Sequence, residues 1–138
     1  MFVRASLALL LTLSACSSDT NSSNPVDAAT SDTGSGNSNS VQKVTCPATV
    51  ALTVTTIAAA PNGAYAYAPS SANPTIAVGD IVHFQLASSH NAVPAPNKSS
   101  DPGLNVGFGG DACLKFTKVG TFNFYCSAHT FYGAITVQ

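Results

Sequence analysis

The sequence predicts an all-β sandwich, because short runs of β-branched and aromatic residues recur between turn-forming residues. Residues 50–57 (VALTVTTI) form one such run, and residues 81–86 (IVHFQL) alternate apolar and polar side chains as a half-buried strand does. Residues 113–126 are typical of two further strands joined by a turn that contains Gly. Pro, Gly, Asn and Ser separate the runs, and no stretch with the period of an amphipathic helix stands out.

The chain of 138 residues divides into three parts of different composition. Residues 1–15 carry Arg4 and an apolar run at residues 7–13, which is typical of a secretory signal peptide and too short to span a bilayer. Residues 16–42 are mainly Ser, Asn, Asp, Thr and Gly, and this composition predicts a disordered polar linker. Residues 43–138 are enough for one small domain with a single core.

The junction between the first two parts resembles a bacterial lipobox. Its sequence is Leu13-Ser14-Ala15-Cys16, and cleavage before Cys16 would leave that cysteine at the new N-terminus for lipid attachment. An ordinary signal peptide with an incidental cysteine is the alternative, since small residues precede both kinds of cleavage site. We therefore expect an exported protein of the periplasm or cell envelope, anchored to a membrane by a lipid on Cys16.

The charged residues exclude some classes of function. The chain has five Lys and Arg, six Asp and Glu, and a net charge of −1. No basic patch is present, so we expect no nucleic-acid partner. There is also no paired acid and base and no Ser/His/Asp arrangement, so we expect a protein that is not an enzyme. We also expect the protein to be a monomer.

A candidate metal site lies close to the end of the chain. Cys126 and His129 are three positions apart in a short loop before the last predicted strand, and His90 stands 36 residues before Cys126 at the end of another alternating run. One thiolate and two imidazoles are the ligand set of a trigonal blue-copper site, in which sulfur suits Cu(I) and nitrogen suits both oxidation states. The pattern predicts one copper ion bound by His90, Cys126 and His129.

Four segments within residues 46–138 resemble the small cupredoxins, namely the plastocyanin, amicyanin and pseudoazurin families. They are the YAP motif at residues 67–69 leading to IAVGD at 76–80, the His90-Asn91 pair, GTFNFYCSAH at 120–129, and the closing GAITV at 133–137. This resemblance implies a Greek-key β-sandwich of the cupredoxin type. It also implies a one-electron carrier with a single type 1 copper site that cycles between Cu(I) and Cu(II) and exchanges electrons with redox protein partners.

The resemblance assigns roles to residues around the three ligands. Asn91 would hydrogen-bond to Ser127 and so tie the His90 loop to the cysteine loop, an arrangement that orients the ligands. These families normally place a Met three or five residues after the second His, where this chain has Tyr132 and Ala134. Tyr132 is a candidate axial ligand. An empty axial position, a backbone carbonyl or water are the alternatives, because axial ligands of blue-copper sites vary.

The four cysteines can be divided among three tasks. With Cys16 assigned to a lipid and Cys126 to copper, Cys46 and Cys113 remain to form a disulfide in an oxidising compartment. A Cys113–Cys126 pair is the alternative and would abolish the copper site. The resemblance argues against that pair, because it implies that the strands around the intervening turn lie in opposite sheets.

Two other functions remain open at this stage. The first is a periplasmic copper carrier without an electron-transfer role, which the absence of an axial Met favours. The second is a structural zinc site in which Cys113 joins the three ligands to make a Cys2His2 set. His83 is not expected to be a ligand of either site, because it alternates with Val82 and Phe84 and so faces the opposite side of its strand.

Overall fold

The computed structural model of the protein describes residues 39–57, 63–70 and 72–138. The predicted signal peptide, Cys16 and most of the predicted linker lie outside these residues. The described residues form nine β-strands and no helix, and so include no helix long and apolar enough to cross a membrane. In chain order the strands are β1 (Val41–Val44), β2 (Leu52–Ile57), β3 (Ala64–Ala68), β4 (Thr75–Ile76), β5 (Ile81–Gln85), β6 (Val93–Pro94), β7 (Asp111–Phe116), β8 (Gly120–Tyr125) and β9 (Tyr132–Val137).

The nine strands form two sheets, which confirms the predicted β-sandwich. The five-stranded sheet has the order β1-β7-β5-β2-β3, and the four-stranded sheet has the order β4-β9-β8-β6. Most neighbouring strands are antiparallel, but β2 pairs with β5 and β4 pairs with β9 in parallel. Both sheets are therefore mixed, as expected when strands that are distant in the chain become neighbours.

The core lies between the inner faces of the two sheets. In β5 the side chains of Val82 and Phe84 are fully buried while Gln85 is exposed, so the strand has the predicted alternation. Phe84 meets Phe124 of β8 edge to face, with ring centroids 5.5 Å apart, and so joins the two sheets. Such aromatic contacts contribute about 0.5–1.5 kcal/mol beyond the burial of area.

Strand β1 begins at Val41, two residues before the predicted start of the domain at residue 43. Val41 is completely buried and pairs with Phe116 of β7. The preceding Ser40 is also held, because its backbone N–H donates a hydrogen bond of 2.7 Å to Asp101. An apolar side chain at the end of a polar stretch thus belongs to the core.

Strands β7 and β8 are consecutive in the chain but lie in different sheets. Cys113, in β7, forms a disulfide with Cys46, and their Cα atoms are 5.1 Å apart. The two cysteines meet because β1 pairs with β7 in a register that places Val44 opposite Cys113, and Cys46 follows two residues later. Cys126 carries a free thiol, so the alternative Cys113–Cys126 pairing is absent.

Candidate metal centre

His90, Cys126 and His129 come from two loops that follow different sheets. His90 lies in the connection that leaves β5 in the five-stranded sheet and enters β6 in the four-stranded sheet. Cys126 follows directly after β8, and His129 lies in the short connection from β8 to β9. The fold therefore brings together residues that are 36 positions apart in the sequence.

The three side chains form a compact donor cluster. One ring nitrogen of each histidine and the sulfur of Cys126 lie within 4.8 Å of one another. The sulfur is 3.7 Å from Nδ1 of His90 and 3.5 Å from Nδ1 of His129. A first-row metal ion bound by sulfur at about 2.3 Å and by nitrogen at about 2.0 Å holds those atoms about 3.5 to 3.7 Å apart at tetrahedral to trigonal angles. The cluster is therefore spaced to hold such an ion.

The cluster is shielded from water to different degrees. Cys126 is completely buried, His90 is 7% exposed and His129 is partly exposed. Phe131 covers the histidines, since its ring meets the ring of His90 edge to face at 5.2 Å. The backbone of Gly63 also packs against these rings. A Cβ added at that position would stand 2.9 Å from Phe131 and 3.1 Å from His90.

The connection from β8 to β9 is a tight turn closed by backbone hydrogen bonds. The N–H of Thr130 donates to the carbonyl oxygen of Cys126 at 2.8 Å, and the N–H of Cys126 donates to that of Phe131 at 3.0 Å. Thr130 has a φ of 57°, which is unusual for a β-branched residue. Such conformations persist only where the surroundings hold them, so this loop presents Cys126 and His129 in a fixed arrangement.

Asn91 and Ser127 link the two loops that carry the donor cluster. The side-chain amide of Asn91 donates to the hydroxyl of Ser127 at 2.9 Å, while its carbonyl oxygen accepts a bond of 2.9 Å from the N–H of Ser127. Asn91 is 5% exposed, so both bonds lie in a setting where an unmade bond is costly. These are the contacts that the sequence resemblance implied for the pair.

Tyr65 is a site residue that the sequence reasoning missed. Its hydroxyl donates a hydrogen bond of 2.5 Å to the carbonyl oxygen of Asn91, next to His90. Its ring meets Phe131 edge to face at 4.7 Å, so one side chain contacts both loops of the donor cluster. Burial, reinforced by the negative charge of Cys126, raises the pKa of Tyr65 far above its usual value. The phenol therefore stays neutral and able to donate.

Tyr132 is placed away from the cluster, which contradicts its predicted axial role. It is the register partner of Tyr125, so the two side chains share one face of the sheet. The side chains of Phe124 and Cys126, the residues on either side of Tyr125, are buried, so this shared face is the outer one. The ring of Tyr132 stacks on Tyr125 with centroids 5.7 Å apart and is 48% exposed.

His83 and Cys113 also lie outside this cluster. His83 contacts Asp111 on the outer face of the five-stranded sheet, in agreement with its predicted orientation. Cys113 is held by its disulfide to Cys46, so the Cys2His2 zinc site considered from the sequence is wrong for this structure. The second donor cluster, formed by Cys46, His83 and Cys113, is separate from the first.

A sandwich of these two mixed sheets is the cupredoxin fold, as the sequence predicted. The solved structures that match it include amicyanins. A reduced and an oxidised mutant of amicyanin each match with 18% identity and a TM-score of 0.50, over 72% of this chain and 99% of the amicyanin chain. Amicyanin from Paracoccus versutus (Thiobacillus versutus) matches with 14% identity and a TM-score of 0.48 over the same shares. No protein-family model and no curated protein sequence matches the chain.

Proposed function

We propose that the protein is a copper-binding electron carrier, with His90, Cys126 and His129 as the metal ligands. The observation that carries this proposal is the preassembled cluster of one buried sulfur and two ring nitrogens at 3.5 and 3.7 Å from it. One thiolate with two imidazoles is the donor set of trigonal blue-copper sites. Bound copper would supply a one-electron couple between Cu(I) and Cu(II).

The protein's contribution to this function is to hold the donor atoms still. The Asn91–Ser127 bonds and the Tyr65 hydroxyl fix the His90 loop against the cysteine loop. The turn from Cys126 to Phe131 is closed by its own backbone bonds. A site whose donors are fixed by such outer contacts keeps one arrangement in both oxidation states, and a carrier needs this to exchange electrons with little rearrangement.

Accessibility of the site fits a carrier that meets protein partners. The sulfur of Cys126 is sealed from solvent, which protects it from oxidation and from competing ligands. His129 is the most exposed of the three ligands, so a partner can approach the site from that side. Amicyanin structures of the same fold represent reduced and oxidised states of that protein.

A copper carrier without an electron-transfer role is the second candidate function. It is favoured by the placement of Tyr132 on the outer face, because the cluster then has three donors and no axial oxygen from that residue. Soft sulfur with few further donors suits Cu(I). Such a site could retain Cu(I) without cycling.

Voltammetry of the copper-loaded protein adsorbed on an electrode separates these two functions. We expect a reversible one-electron wave whose peak separation stays small as the scan rate rises, because the donors do not rearrange. Wild-type protein should give this wave, and the matched variant His90→Ala should lose it. A protein that binds one Cu(I) tightly but gives no reversible wave would be the carrier of the second candidate function.

We also propose that the protein is exported and tethered through Cys16. The support is the lipobox-like sequence at residues 13–16 and the polar stretch that follows it. Intact protein should sediment with membranes after cell lysis, and Cys16→Ala should release it. Mass spectrometry that finds an unmodified N-terminus beyond residue 16 would exclude the anchor while leaving the copper function untouched.

A further inference from the structure

A second cluster of metal-binding side chains lies on the outer face of the five-stranded sheet. One ring nitrogen of His83 and the sulfur atoms of Cys46 and Cys113 lie within 4.8 Å of one another. Asp111 adds a carboxylate, because its Oδ1 is 2.5 Å from Nε2 of His83. Two sulfurs, an imidazole and a carboxylate therefore meet at one place that the proposed electron-transfer function does not use.

The strand register explains why these groups meet. His83 of β5 is the direct partner of Cys113 in β7, and Asp111 is two residues from Cys113, so all three share one face of the sheet. Cys113 is fully buried even though this face is the outer one, so the segment that carries Cys46 covers it. Cys46 itself is exposed and follows β1 in a stretch without regular structure.

We propose that reduction of the Cys46–Cys113 disulfide converts this cluster into a second metal site, in which both thiolates and His83 bind a divalent ion of the zinc class. Asp111 either supplies the fourth ligand or orients the imidazole from behind, as carboxylates do in many metal sites. In the disulfide form the sulfurs are bonded to each other, and the cluster cannot bind the ion as a pair of thiolates. The redox state of the pair thus controls whether the site exists.

The chemistry requires a dithiol reductant. Its two thiols transfer two electrons and two protons to the disulfide, so that the S–S bond breaks, two Cys thiols form and the reductant becomes a disulfide. The ion then displaces the two thiol protons and binds the two thiolates, since a metal ligand must be deprotonated. A zinc-class ion keeps its oxidation state throughout.

The structure allows the sulfurs to reach metal-binding distance. Two thiolates on one tetrahedral zinc-class ion stand about 3.8 Å apart, given sulfur bonds of about 2.3 Å. Cys113, His83 and Asp111 are fixed by the paired strands β5 and β7, whereas Cys46 is exposed and outside β1. Only the Cys46 segment has to move.

The carboxylate already stands beside the imidazole. Oδ1 of Asp111 lies 2.5 Å from Nε2 of His83. An ionised carboxylate can serve as a ligand or can accept the second imidazole N–H. Either use fixes the orientation of the ring.

Cobalt(II) titration of the full chain tests the proposal. The background variant is Cys16→Ser with Cys126→Ser, which leaves Cys46 and Cys113 as the only cysteines. Protein reduced with dithiothreitol and desalted without oxygen should bind one Co²⁺ with a thiolate-to-cobalt band in the near ultraviolet and tetrahedral bands in the visible. The oxidised protein should show neither. Adding His83→Ala should weaken binding about 10-fold or more, whereas the matched His129→Ala should leave it unchanged.

Several outcomes would overturn the proposal. These are the absence of a thiolate band from the reduced protein, an equal band from the oxidised protein, and unchanged binding by the His83→Ala variant. Loss of the far-ultraviolet β-sheet signal on reduction would overturn it too, because the site depends on the paired strands β5 and β7. None of these results bears on the copper function, since Cys126 is absent from every variant.

Discussion

Tyr65 connects the two loops of the donor cluster through one side chain. Its hydroxyl bonds the backbone of Asn91 while its ring packs against Phe131 in the other loop. The hydroxyl is buried, and its removal leaves the carbonyl of Asn91 without that donor. A buried polar group that loses its partner costs about 1–3 kcal/mol, which is large compared with the total stability of a small domain.

We predict that Tyr65→Phe lowers the free energy of unfolding by about 1–3 kcal/mol and perturbs the copper site. The His90 loop is held less firmly without the hydrogen bond, so the charge-transfer band of the copper-loaded protein should shift and its reduction potential should change. Urea unfolding of the metal-free protein and the visible spectrum of the loaded protein measure the two effects.

Tyr132→Phe is the matched control, because it removes the same hydroxyl from a tyrosine on the outer face. Its ring stacks on Tyr125 and should keep that contact, so stability and spectrum should both stay as in the wild type. A large spectral change in the Tyr132 variant together with none in the Tyr65 variant would show that the roles of the two tyrosines are reversed.

At the residue scale, short sequence patterns were sufficient to predict the donor cluster but not its surroundings. One thiol and two imidazoles in this order are typical of few sites other than a metal centre. The structure brings together the residues that carry them, His90, Cys126 and His129. Nothing in the sequence singles out Tyr65, because its role depends on which backbone carbonyl lies opposite its hydroxyl. Tyr132 had the right spacing for a ligand, but the alternation of β9 turns it outward.

Strand β9 packs tightly against the ring of Phe124 at Gly133. A Cβ added at Gly133 would lie 2.5 Å from a ring carbon of Phe124 and 2.6 Å from the hydroxyl of Tyr67. Tyr67 is also bonded here, since its hydroxyl accepts from the N–H of Ala134 at 3.3 Å. The close approach of β9 to the aromatic core therefore requires glycine.

We predict that Gly133→Ala lowers the free energy of unfolding by about 1–3 kcal/mol, because the added methyl group overpacks the core. Gly107→Ala is the control, since a Cβ there meets nothing within 4 Å. That variant should be neutral or slightly stabilised, by less than about 1 kcal/mol. Urea midpoints measured in parallel test the pair, and equal midpoints for the two variants would show that Phe124 and Tyr67 give way freely.

At the element scale, the sequence predicted β2, β5, β7, β8 and β9 but not β1, β3 or the two-residue strands β4 and β6. Strands such as β5 carry a period that follows from having one buried face. Strands β4 and β6 have two residues each, which is too short for any period. They exist because longer neighbours, β9 and β8, offer them hydrogen-bond partners. Pairing of this kind is a property of the assembled sheet and produces no pattern in the local sequence.

Across the whole molecule, the Cys46–Cys113 disulfide closes a loop of 67 residues that includes the His90 loop. In the chain-entropy account, a cross-link that closes a loop of this size raises the free energy of the unfolded chain by about 4 kcal/mol. We predict that the double variant Cys46→Ser, Cys113→Ser unfolds at lower urea concentration, with a loss of about 2–4 kcal/mol, yet keeps the visible band of the copper-loaded protein.

The control for this variant is Cys126→Ser, which retains the disulfide and should lose the band while its metal-free stability changes little. Urea unfolding and visible spectra of both variants measure the two effects. If the double variant lost both its fold and its band, the five-stranded sheet would depend on the disulfide that joins β7 to the segment after β1. The paired strands β5 and β7 that hold the second metal site would then also be lost.

The most direct test of the copper site is a titration of the metal-free protein with Cu²⁺, followed by visible absorption. We predict an intense thiolate-to-copper charge-transfer band that saturates at one copper per chain, because the sulfur of Cys126 lies 3.7 and 3.5 Å from the Nδ1 atoms of His90 and His129. Cys126→Ser should abolish the band and His83→Ala should leave it intact. The absence of an intense band in the wild type, or its persistence in the Cys126→Ser variant, would contradict the account.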